Sequence, residues 1–308
     1  MIHVVDPGPL ASVQDPFGRP GWRRYGVPVG GAADAWSARL ANRLAGNDDG
    51  AALIEVTIGG AAFRVEASGV VAVTGGLHTT IDGAPARAAG VRVRAGSLVR
   101  LDAGDGVRGY LAIGGGLVVE HVLGSASTEL RARFGGHEGR ALRSGDRLTI
   151  GTAPAGPPSR WAGEPRIGPI RVVGGPHPEA LAPLVARAWT VAVEADRTGV
   201  RLDGDRIGES GEVASMGLPL GAIQVPPDGR PIVMLADRPV TGGYLVPACV
   251  IRADVGRFAQ LHPGDEVSFA LVSPDAAREA WRAAEASLSQ LEPIDDPAGD
   301  LGWIGSHG

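Results

Sequence analysis

The polar residues that follow one short apolar run have the types that bind and activate a polar substrate. The run 232–235 has the composition of a buried strand, and Asp237 and Arg238 come directly after it. Gly242 and Gly243 follow, and paired glycines indicate backbone that passes close to a ligand or another chain. We therefore predict catalytic roles for Asp237 and Arg238. A hairpin in which the two charges pair and tie down a loop fits the same residues.

Further polar side chains flank this run on both sides. The preceding segment 226–229, Pro-Pro-Asp-Gly, has the composition of a tight turn. Its Asp228 is a third catalytic candidate, because a carboxylate there is able to orient a nucleophile or a metal-bound phosphate. Gln224, Thr241 and Tyr244 are predicted to bind substrate or nucleotide.

A second concentrated group of candidate residues lies near the N-terminus. Gly30 and Gly31 lead into a predicted helix, and the amides and dipole at a helix N-terminus favour an anion. Arg19 offers a planar fork for a carboxylate or phosphate. We predict that these residues and Asp34 bind substrate or nucleotide. The alternative is that Asp34 is an ordinary helix cap and that the glycines serve only turns.

The standard catalytic signatures are missing from the chain. The seven histidines have no metal-ligand spacing, so no metal site is predicted. His137, in a glycine-rich polar loop, is a binding candidate, and a surface histidine is the alternative. The glycines at 114–116 lack the spacing and the following βα unit of a dinucleotide site and indicate a tight turn. Cys249 lies in an apolar run, which favours a structural thiol over a nucleophile.

Composition excludes several classes of protein. The chain has 308 residues, 44% of them hydrophobic, and a net charge of −5, which gives no attraction to nucleic acid or an anionic membrane. A single cysteine favours a reducing cytoplasm. All 29 basic residues are arginine. The absence of lysine excludes Schiff-base chemistry and the phosphate-binding lysine of a P-loop in this chain.

The spacing of apolar residues predicts an all-β protein with a few helices. Short runs of Val, Ile and Leu between Gly- and Pro-rich turns are typical of a barrel or sandwich. The predicted strands are 69–74, 91–101, 110–113, 170–173, 223–225, 232–235 and 267–272. Helices are predicted at 35–45 with Asp34 as the cap, at 177–189, and from Pro274 with apolar positions up to Leu291.

A weak internal repeat predicts two related domains. Residues 141–150 and 260–269 each place a Gly-Asp turn before a strand, and chance similarity of two short segments is the alternative. The segment 151–163 is rich in Pro, Gly and Ala and is interpreted as a linker. We predict β domains at 1–155 and 165–290 and a C-terminal tail at 291–308.

Four motifs carry a resemblance to a known family. Residues 13–34, which begin Val-Gln-Asp and include Gly18-Arg19-Pro20-Gly21, resemble the opening of the biotin-dependent carboxyltransferase (allophanate hydrolase subunit 2) family. Residues 123–140, 196–202 and 221–244 resemble its later signatures. The chain is identified as a member of this family over about residues 2–272.

The resemblance implies a fold, partners and a choice of reactions. It implies two cyclophilin-like β-barrels in tandem, a homologous subunit 1 partner that resembles the B component of 5-oxoprolinase, and in some complexes a third subunit. One implied role is the C component of 5-oxoprolinase, an enzyme that hydrolyses 5-oxo-L-proline to L-glutamate with ATP, with magnesium where the nucleotide binds. The alternatives are the biotin-dependent carboxyltransferase of urea degradation and a protein that antagonises an inhibitor of a histidine kinase. Because the chain has no lysine, it cannot itself be biotinylated, which favours the oxoprolinase reading.

Overall fold

The fold is divided into two units, each built from segments that are not consecutive in the chain. The computed structural model describes residues 1–152, 159–164, 167–208 and 211–294. The first unit takes the described residues of Met1–Gly18, Asp34–Glu164 and Leu288–Gly308, and the second those of Arg19–Ala33 and Pro165–Ser287. Compared with the predicted ranges, Arg19–Ala33 groups with the second unit and the residues from Leu288 group with the first.

The first unit is built mainly from short antiparallel strands and one helix, α1 (Ala35–Leu44). Its strands are β1 (Ile2–Pro7), β2 (Leu10–Gln14), β3 (Leu53–Thr57), β4 (Ala61–Val65), β5 (Gly69–Gly75), β6 (His78–Ile81), β7 (Ala84–Pro85), β8 (Gly90–Val93), β9 (Leu98–Asp102), β10 (Arg108–Ile113), β11 (Arg147–Leu148), β12 (Ser159–Trp161) and β21 (Leu291–Pro293).

Two sheets enclose the apolar core of the first unit. One sheet has the order β11-β1-β4-β9-β6-β7 and the other β2-β3-β10-β5-β8. Alternate side chains of the strands point inward, as the period of two requires. Both sheets contribute buried residues to one cluster, among them Val4, Val13, Phe63 and Leu111. The strands predicted at 69–74 and 110–113 are confirmed as β5 and β10.

The second unit contains a closed ring of strands. Its strands are β13 (Ile170–Gly174), β14 (Ala188–Ala195), β15 (Gly199–Asp203), β16 (Glu212–Gly217), β17 (Ala222–Val225), β18 (Ile232–Met234), β19 (Thr241–Val250) and β20 (Glu266–Leu271). They pair in the order β13-β20-β14-β15-β18-β17-β19-β16, and β13 also pairs with β19. This additional pairing joins β13, at one end of the row, to β19, and it leaves β16 outside the ring. The core inside includes Trp189, Leu202, Ile223 and Phe258.

Short helices complete the second unit. They are α2 (Leu181–Val185), α3 (Arg252–Phe258) and α4 (Pro274–Ser287), with 3₁₀ turns at Arg23–Tyr25 and Pro178–Ala180. None of the helices in the described residues is long and apolar enough to span a lipid bilayer.

The prediction of a mainly β protein is confirmed, but three local predictions are wrong. The run 91–101 is two strands, because a turn at 94–97 separates β8 from β9. The predicted helix 177–189 ends early, since Trp189 lies on β14 and packs in the core. The helix from Pro274 ends at Ser287, and Leu291 begins strand β21 instead.

The predicted linker and tail overlap a small sheet. Ser159–Trp161 of the linker pairs with Leu291–Pro293 of the tail. Residues 153–158 of the linker and 295–308 of the tail lie outside the described residues. A linker therefore remains a prediction for that first segment only.

The internal repeat corresponds to one turn geometry that occurs in both units. Gly145 has φ 92° and Gly264 has φ 94°, values that favour glycine. In the first turn the Asp146 carboxylate accepts the backbone N–H of Arg143 at 2.8 Å. In the second turn Asp265 accepts the N–H of His262 at 2.7 Å.

Candidate active site

A buried ion pair in the second unit joins two of the family-like motifs. Asp237 lies in the turn after β18, and its exposed fraction is 8%. Arg197 precedes β15 and donates to both carboxylate oxygens, from Nε to Oδ2 at 2.8 Å and from Nη2 to Oδ1 at 3.0 Å. Such a two-point contact fixes the plane of the carboxylate. The Asp237 N–H also donates to the Arg197 carbonyl at 2.9 Å, so backbone and side chains hold the pair together.

The N-terminal segment of the second unit reaches the same pair. Arg197 Nη2 donates to the Gly31 carbonyl at 2.6 Å, and the Gly30 N–H donates to the Ala236 carbonyl at 3.3 Å. Gly30 has φ 66°, a conformation that favours glycine. Three sequence-predicted residues, Gly30, Gly31 and Asp237, are thus brought together.

Arg19 lies on the other side of Gly30. Its side chain is fully buried, and its backbone N–H donates to the Val29 carbonyl at 2.8 Å. A Cβ added to Gly30 would stand 3.1 Å from Arg19 Nη1 and 3.7 Å from Asp237 Oδ1. The position that a side chain at residue 30 would occupy is therefore bordered by a guanidinium and by a carboxylate. An amide fits these two groups, because its oxygen accepts from the first and its N–H donates to the second.

Gln224 is buried on β17, and its amide group is closely packed against strand β19. Its exposed fraction is 4%, and its Nε2 has no hydrogen-bond partner among the described residues. A Cβ on Gly242 would stand 2.5 Å from that nitrogen, so only glycine lets β19 approach this closely. An unpaired buried amide donor is costly, which supports a ligand-binding role for Gln224.

Arg238 has surroundings different from those of its neighbour Asp237. Nε donates to the Leu218 carbonyl at 3.0 Å and Nη1 to the Leu235 carbonyl at 3.3 Å. Burial and the nearby charge of Arg23 lower the pKa of Arg238 to about 10. Cys249 and Asp237 raise this pKa, but by less. The hairpin alternative, in which Asp237 pairs with Arg238, is wrong, since the partner of Asp237 is Arg197.

The third predicted catalytic residue belongs to another group of side chains. Asp228 lies in the turn before β18, whereas Asp237 lies in the turn after it. Asp228 Oδ2 accepts from Arg201 Nη1 at 2.7 Å and lies 3.5 Å from Arg230 Nε. Although burial opposes the shift, the Arg230 backbone N–H and the two guanidiniums hold the pKa of Asp228 below its usual range. The structure therefore does not place Asp228 beside Asp237.

The remaining candidates of the second unit lie on β19. Thr241 is exposed and opposite Gly217, and Tyr244 is half-buried and opposite Glu212 of the strand outside the ring. Cys249, further along the same strand, donates to the Leu220 carbonyl at 3.3 Å, and burial raises the pKa of its thiol to about 11. That value fits the predicted structural thiol and not a nucleophile.

Asp34 and His137 belong to the first unit. Asp34 caps α1, with Oδ1 accepting the Ser37 N–H at 3.1 Å and Oδ2 accepting the Ser37 hydroxyl at 2.6 Å. Because both oxygens serve the cap, the alternative reading of Asp34 as a helix cap describes it best. His137 Nε2 lies 3.7 Å from Asp146 Oδ1, next to the Arg140–Asp146 ion pair.

A second buried aspartate network holds the family-like motifs of the first unit. Asp15 Oδ1 accepts the backbone N–H groups of Phe17 and Gly18, at 2.9 Å and 2.6 Å. Asp15 Oδ2 accepts the Ser125 hydroxyl and the Ala126 N–H at 2.8 Å. Each oxygen accepts two hydrogen bonds, which uses the usual capacity of a carboxylate.

Two residues that the structure places at these sites are not apparent from the sequence. Arg197 stands in a motif that supports the family resemblance, but the motif alone does not mark it as a site residue. Arg23 stands in the segment Gly-Trp-Arg-Arg-Tyr-Gly at 21–26, whose adjacent aromatic and basic residues are a weak signal of binding. Neither signal identifies a carboxylate or carbonyl partner, because the partners are about 40 and 200 residues away in sequence.

The polar groups of the Asp237 cluster make their hydrogen bonds within the protein. The Gly30 N–H and the Gly31 carbonyl are used within the protein, and both oxygens of Asp237 accept from Arg197. No group of three or more His, Cys, Asp or Glu side chains within the described part of the chain stands close enough to hold a metal ion. ATP and magnesium therefore do not fit this cluster by itself.

Comparison with known proteins identifies the family. Residues 25–271 match the family described as carboxyltransferase domain, subdomain A and B. The chain belongs to this carboxyltransferase family. It is 34% identical to the C component of the 5-oxoprolinase of Haemophilus influenzae over 320 residues, which covers 96% of this chain and 99% of that protein.

Solved structures of larger proteins share the fold. The crystal structure of TTHA0988 matches with a TM-score of 0.81 and 38% identity over 87% of this chain. The crystal structure of the Kluyveromyces lactis urea carboxylase matches with a TM-score of 0.85 and 30% identity over 96% of this chain. This family member spans 56% of the TTHA0988 chain and 30% of the urea carboxylase chain.

Proposed function

We propose that this family member is a subunit of an ATP-dependent 5-oxoprolinase, which hydrolyses 5-oxo-L-proline to L-glutamate. The observation that carries the proposal is the 34% identity to the C component of a 5-oxoprolinase along 99% of that protein. The urea carboxylase match covers only 30% of its chain and supports the carboxyltransferase of urea degradation as the second candidate. We further propose that the two units correspond to two cyclophilin-like barrels. The closed ring of strands in the second unit supports this for one of them.

The chemistry of the Arg19–Gly30–Asp237 cluster supports an amide as the reacting group. In our proposal the Arg19 guanidinium donates to the lactam oxygen and the Asp237 carboxylate accepts the lactam N–H. Arg197 holds the carboxylate plane in place through its two hydrogen bonds. A guanidinium at the carbonyl oxygen would stabilise the charge that develops when a nucleophile adds to the carbonyl carbon.

Partner subunits are the next part of the proposal. Because the polar groups of the Asp237 cluster are used within the protein, we propose that ATP is held outside this cluster, on a homologous subunit 1 or a third subunit. Co-expression with a neighbouring subunit 1 homologue should give a complex that buries more than ~2,000 Å², as permanent assemblies do. Recovery of two non-interacting proteins at micromolar concentration contradicts this part of the proposal.

Turnover by the reconstituted complex tests the function. The complex should form glutamate from 5-oxoproline only when ATP is present. Asp237→Ala should remove most of the turnover, whereas Asp228→Ala, which changes a carboxylate of the same unit outside the cluster, should leave it nearly unchanged. Consumption of urea with a biotin carrier, and none of 5-oxoproline, would establish the carboxyltransferase alternative instead.

A further inference from the structure

Two arginines of the second unit converge on one backbone carbonyl. Arg23 Nη2 donates to the Leu218 carbonyl at 2.6 Å, and Arg238 Nε donates to the same oxygen at 3.0 Å. Arg23 Nη2 also donates to the Val240 carbonyl at 2.7 Å. We refer to Arg23 and Arg238 as the arginine pair. Two guanidiniums that share one acceptor lie close together, so their positive charges add at this place.

The arginine pair has no carboxylate partner in the described part of the chain, although Arg238 is buried. Among the described residues, neither Arg23 nor Arg238 forms an ion pair with an aspartate or glutamate within 4.0 Å. Arg197 and Arg171, in contrast, both make two-point contacts with an aspartate. Arg238 is nearly as buried as Arg197, with 8% against 5% of its surface exposed. A buried cation is normally paired, since burial without a counter-charge is costly.

The arginine pair retains donors for a ligand. A guanidinium has five N–H groups, and the bonds named above use only some of those on each arginine. Arg23 is half-buried, so the pair has access to solvent on that side. The 3₁₀ turn Arg23–Tyr25 that carries Arg23 is bounded by Gly21 and Gly26 at φ 92° and 80°. Planar guanidiniums bind oxyanions in two-point geometry, which makes a small oxyanion the counter-charge that fits.

We infer that Arg23 and Arg238 form a carboxylate-binding subsite for the substrate. The inference rests on the proposed function, because the lactam of 5-oxoproline is neutral and its carboxylate is the one charged group available for recognition. The β-turn Leu235–Arg238 carries both Asp237 and Arg238, so the turn links the amide-binding cluster to the arginine pair. Urea has an amide group but no carboxylate, so the pair selects for the carboxylate-bearing amide. Arg238 thus acts in binding, rather than on the reacting carbonyl.

Calorimetric binding to the full chain, alone and in the reconstituted complex, tests the subsite. The ligands are 5-oxoproline, its neutral analogue 5-oxoprolinamide, and inorganic phosphate. The proteins are the wild type, Arg23→Gln, Arg238→Gln and the control Arg24→Gln. Arg24 is an exposed arginine of the same 3₁₀ turn, and its guanidinium lies 4.8 Å from the Tyr25 ring centroid. Thermal unfolding of each variant reports whether the protein is folded. If Arg238→Gln does not fold, Arg23→Gln still tests the subsite.

We expect 5-oxoproline to bind about 10- to 100-fold more weakly to Arg23→Gln and to Arg238→Gln, because each variant loses hydrogen bonds to a charged group. Arg24→Gln should bind like the wild type, and 5-oxoprolinamide should bind the wild type as weakly as the acid binds the variants. In turnover assays the two variants should raise KM for 5-oxoproline more than they lower kcat.

Several results overturn the inference. One is equal binding of the acid and the amide, or unchanged binding in both variants. Another is the absence of 5-oxoproline binding both to the chain and to the complex. The third is tighter binding of phosphate than of 5-oxoproline that both variants abolish, which assigns the pair to a phosphate ligand. A complex that makes glutamate with unchanged KM in both variants refutes the subsite alone. A complex inactive on 5-oxoproline refutes the proposed function.

Discussion

Asp15 in the first unit and Asp237 in the second are both buried and both stand in a family-like motif, but they have different surroundings. Asp15 in the first unit accepts only from neutral donors, namely backbone N–H groups and the Ser125 hydroxyl. Asp237 in the second unit accepts from the guanidinium of Arg197. Its surroundings also include Gly30, where an added Cβ would stand 3.7 Å from the carboxylate and 3.1 Å from Arg19 Nη1.

The comparison indicates that burial within a motif is not enough to mark an aspartate as a candidate catalytic residue. The carboxylate of Asp15 has no remaining acceptor capacity, because four donors from two loops use it, and this network joins those loops. Asp237 has a charged partner in Arg197, and both its carboxylate and the Arg19 guanidinium lie within 4 Å of the position that a Cβ at Gly30 would take. Charged neighbours, rather than burial alone, distinguish the candidate active site from the Asp15 network.

The largest expected effect is on turnover, which should fall in a variant of Asp237 but not in the matched variant of Asp15. Asp237→Asn should lower the turnover of the reconstituted complex by about 100- to 1,000-fold, because charged groups aimed at a transition state are worth about 2.7–4 kcal/mol each. Asp15→Asn should leave the turnover of the folded protein within a few-fold of wild type. The measurement is glutamate formation per folded complex, with the folded fraction taken from circular dichroism.

Equal losses of turnover in Asp237→Asn and Asp15→Asn would break the comparison. The candidate active site would then extend to the Asp15 network, or both aspartates would act only through the fold. An active Asp237→Asn variant would show that the Arg197–Asp237 pair is structural.

The stability of the protein should depend strongly on the hydrogen bonds of Asp15. Asp15→Ala leaves several buried N–H and O–H donors without their acceptor, and each such group costs about 1–3 kcal/mol. We expect Asp15→Ala to reduce the free energy of unfolding by at least about 3 kcal/mol. Urea denaturation measures this loss, with Asp6→Ala on β1 as a control that removes a single exposed hydrogen bond to Gly8. A loss no greater than that of the control contradicts a structural role for Asp15.

The two repeated turns offer a smaller and pH-dependent comparison. Hydrogen bonds from Arg140 hold the pKa of Asp146 below its usual range, although burial opposes the shift. Because the folded-state pKa is lower than the unfolded value of about 3.9, the ionised carboxylate stabilises the fold above that pH. This contribution is lost as pH falls through the folded-state pKa. Asp146→Asn should therefore cost about 1–2 kcal/mol at pH 7 and less at pH 3.

Asp265→Asn in the second turn is the matched variant. Asp265 forms the same backbone hydrogen bond but no ion pair among those found in the described residues, so its replacement should cost less at pH 7. The measurement is the free energy of unfolding of both variants, determined by denaturation at pH 7 and at pH 3. An equal cost for the two at pH 7 contradicts the stabilising role assigned to Arg140.

The smallest expected effect concerns the packing of Gln224. In Gly242→Ala the new Cβ would displace the Gln224 amide, which is the end of a flexible side chain, and would also press on Leu218 Cδ1 at 2.7 Å. We expect a loss of about 1–2 kcal/mol of stability and a weaker affinity for 5-oxoproline. Gly217→Ala is the control, because a Cβ there has no neighbour within 4 Å. Unchanged affinity in Gly242→Ala would remove Gln224 from the candidate site.

Local sequence patterns predicted the elements whose signals are themselves local. Asp34 as a cap predicted the start of α1, since the cap contacts a residue three positions away. The Gly-Asp pairs of the repeat predicted two turns of one geometry for the same reason. The helix ending at Trp189 was predicted wrongly, because burial in the core, not helical spacing, decides the place of that side chain.

The sequence by itself determined the family, the mainly β fold and the residue types able to do chemistry, including the complete absence of lysine. Only the tertiary structure decided which of those residues work together. It paired Asp237 with Arg197 instead of Arg238, separated Asp228 from both, and brought Arg23 to Arg238 across more than 200 residues. The physical reason is that ion pairs and shared carbonyls are set by strand register and loop closure. These are long-range contacts, which the spacing of neighbouring residues in the sequence does not predict.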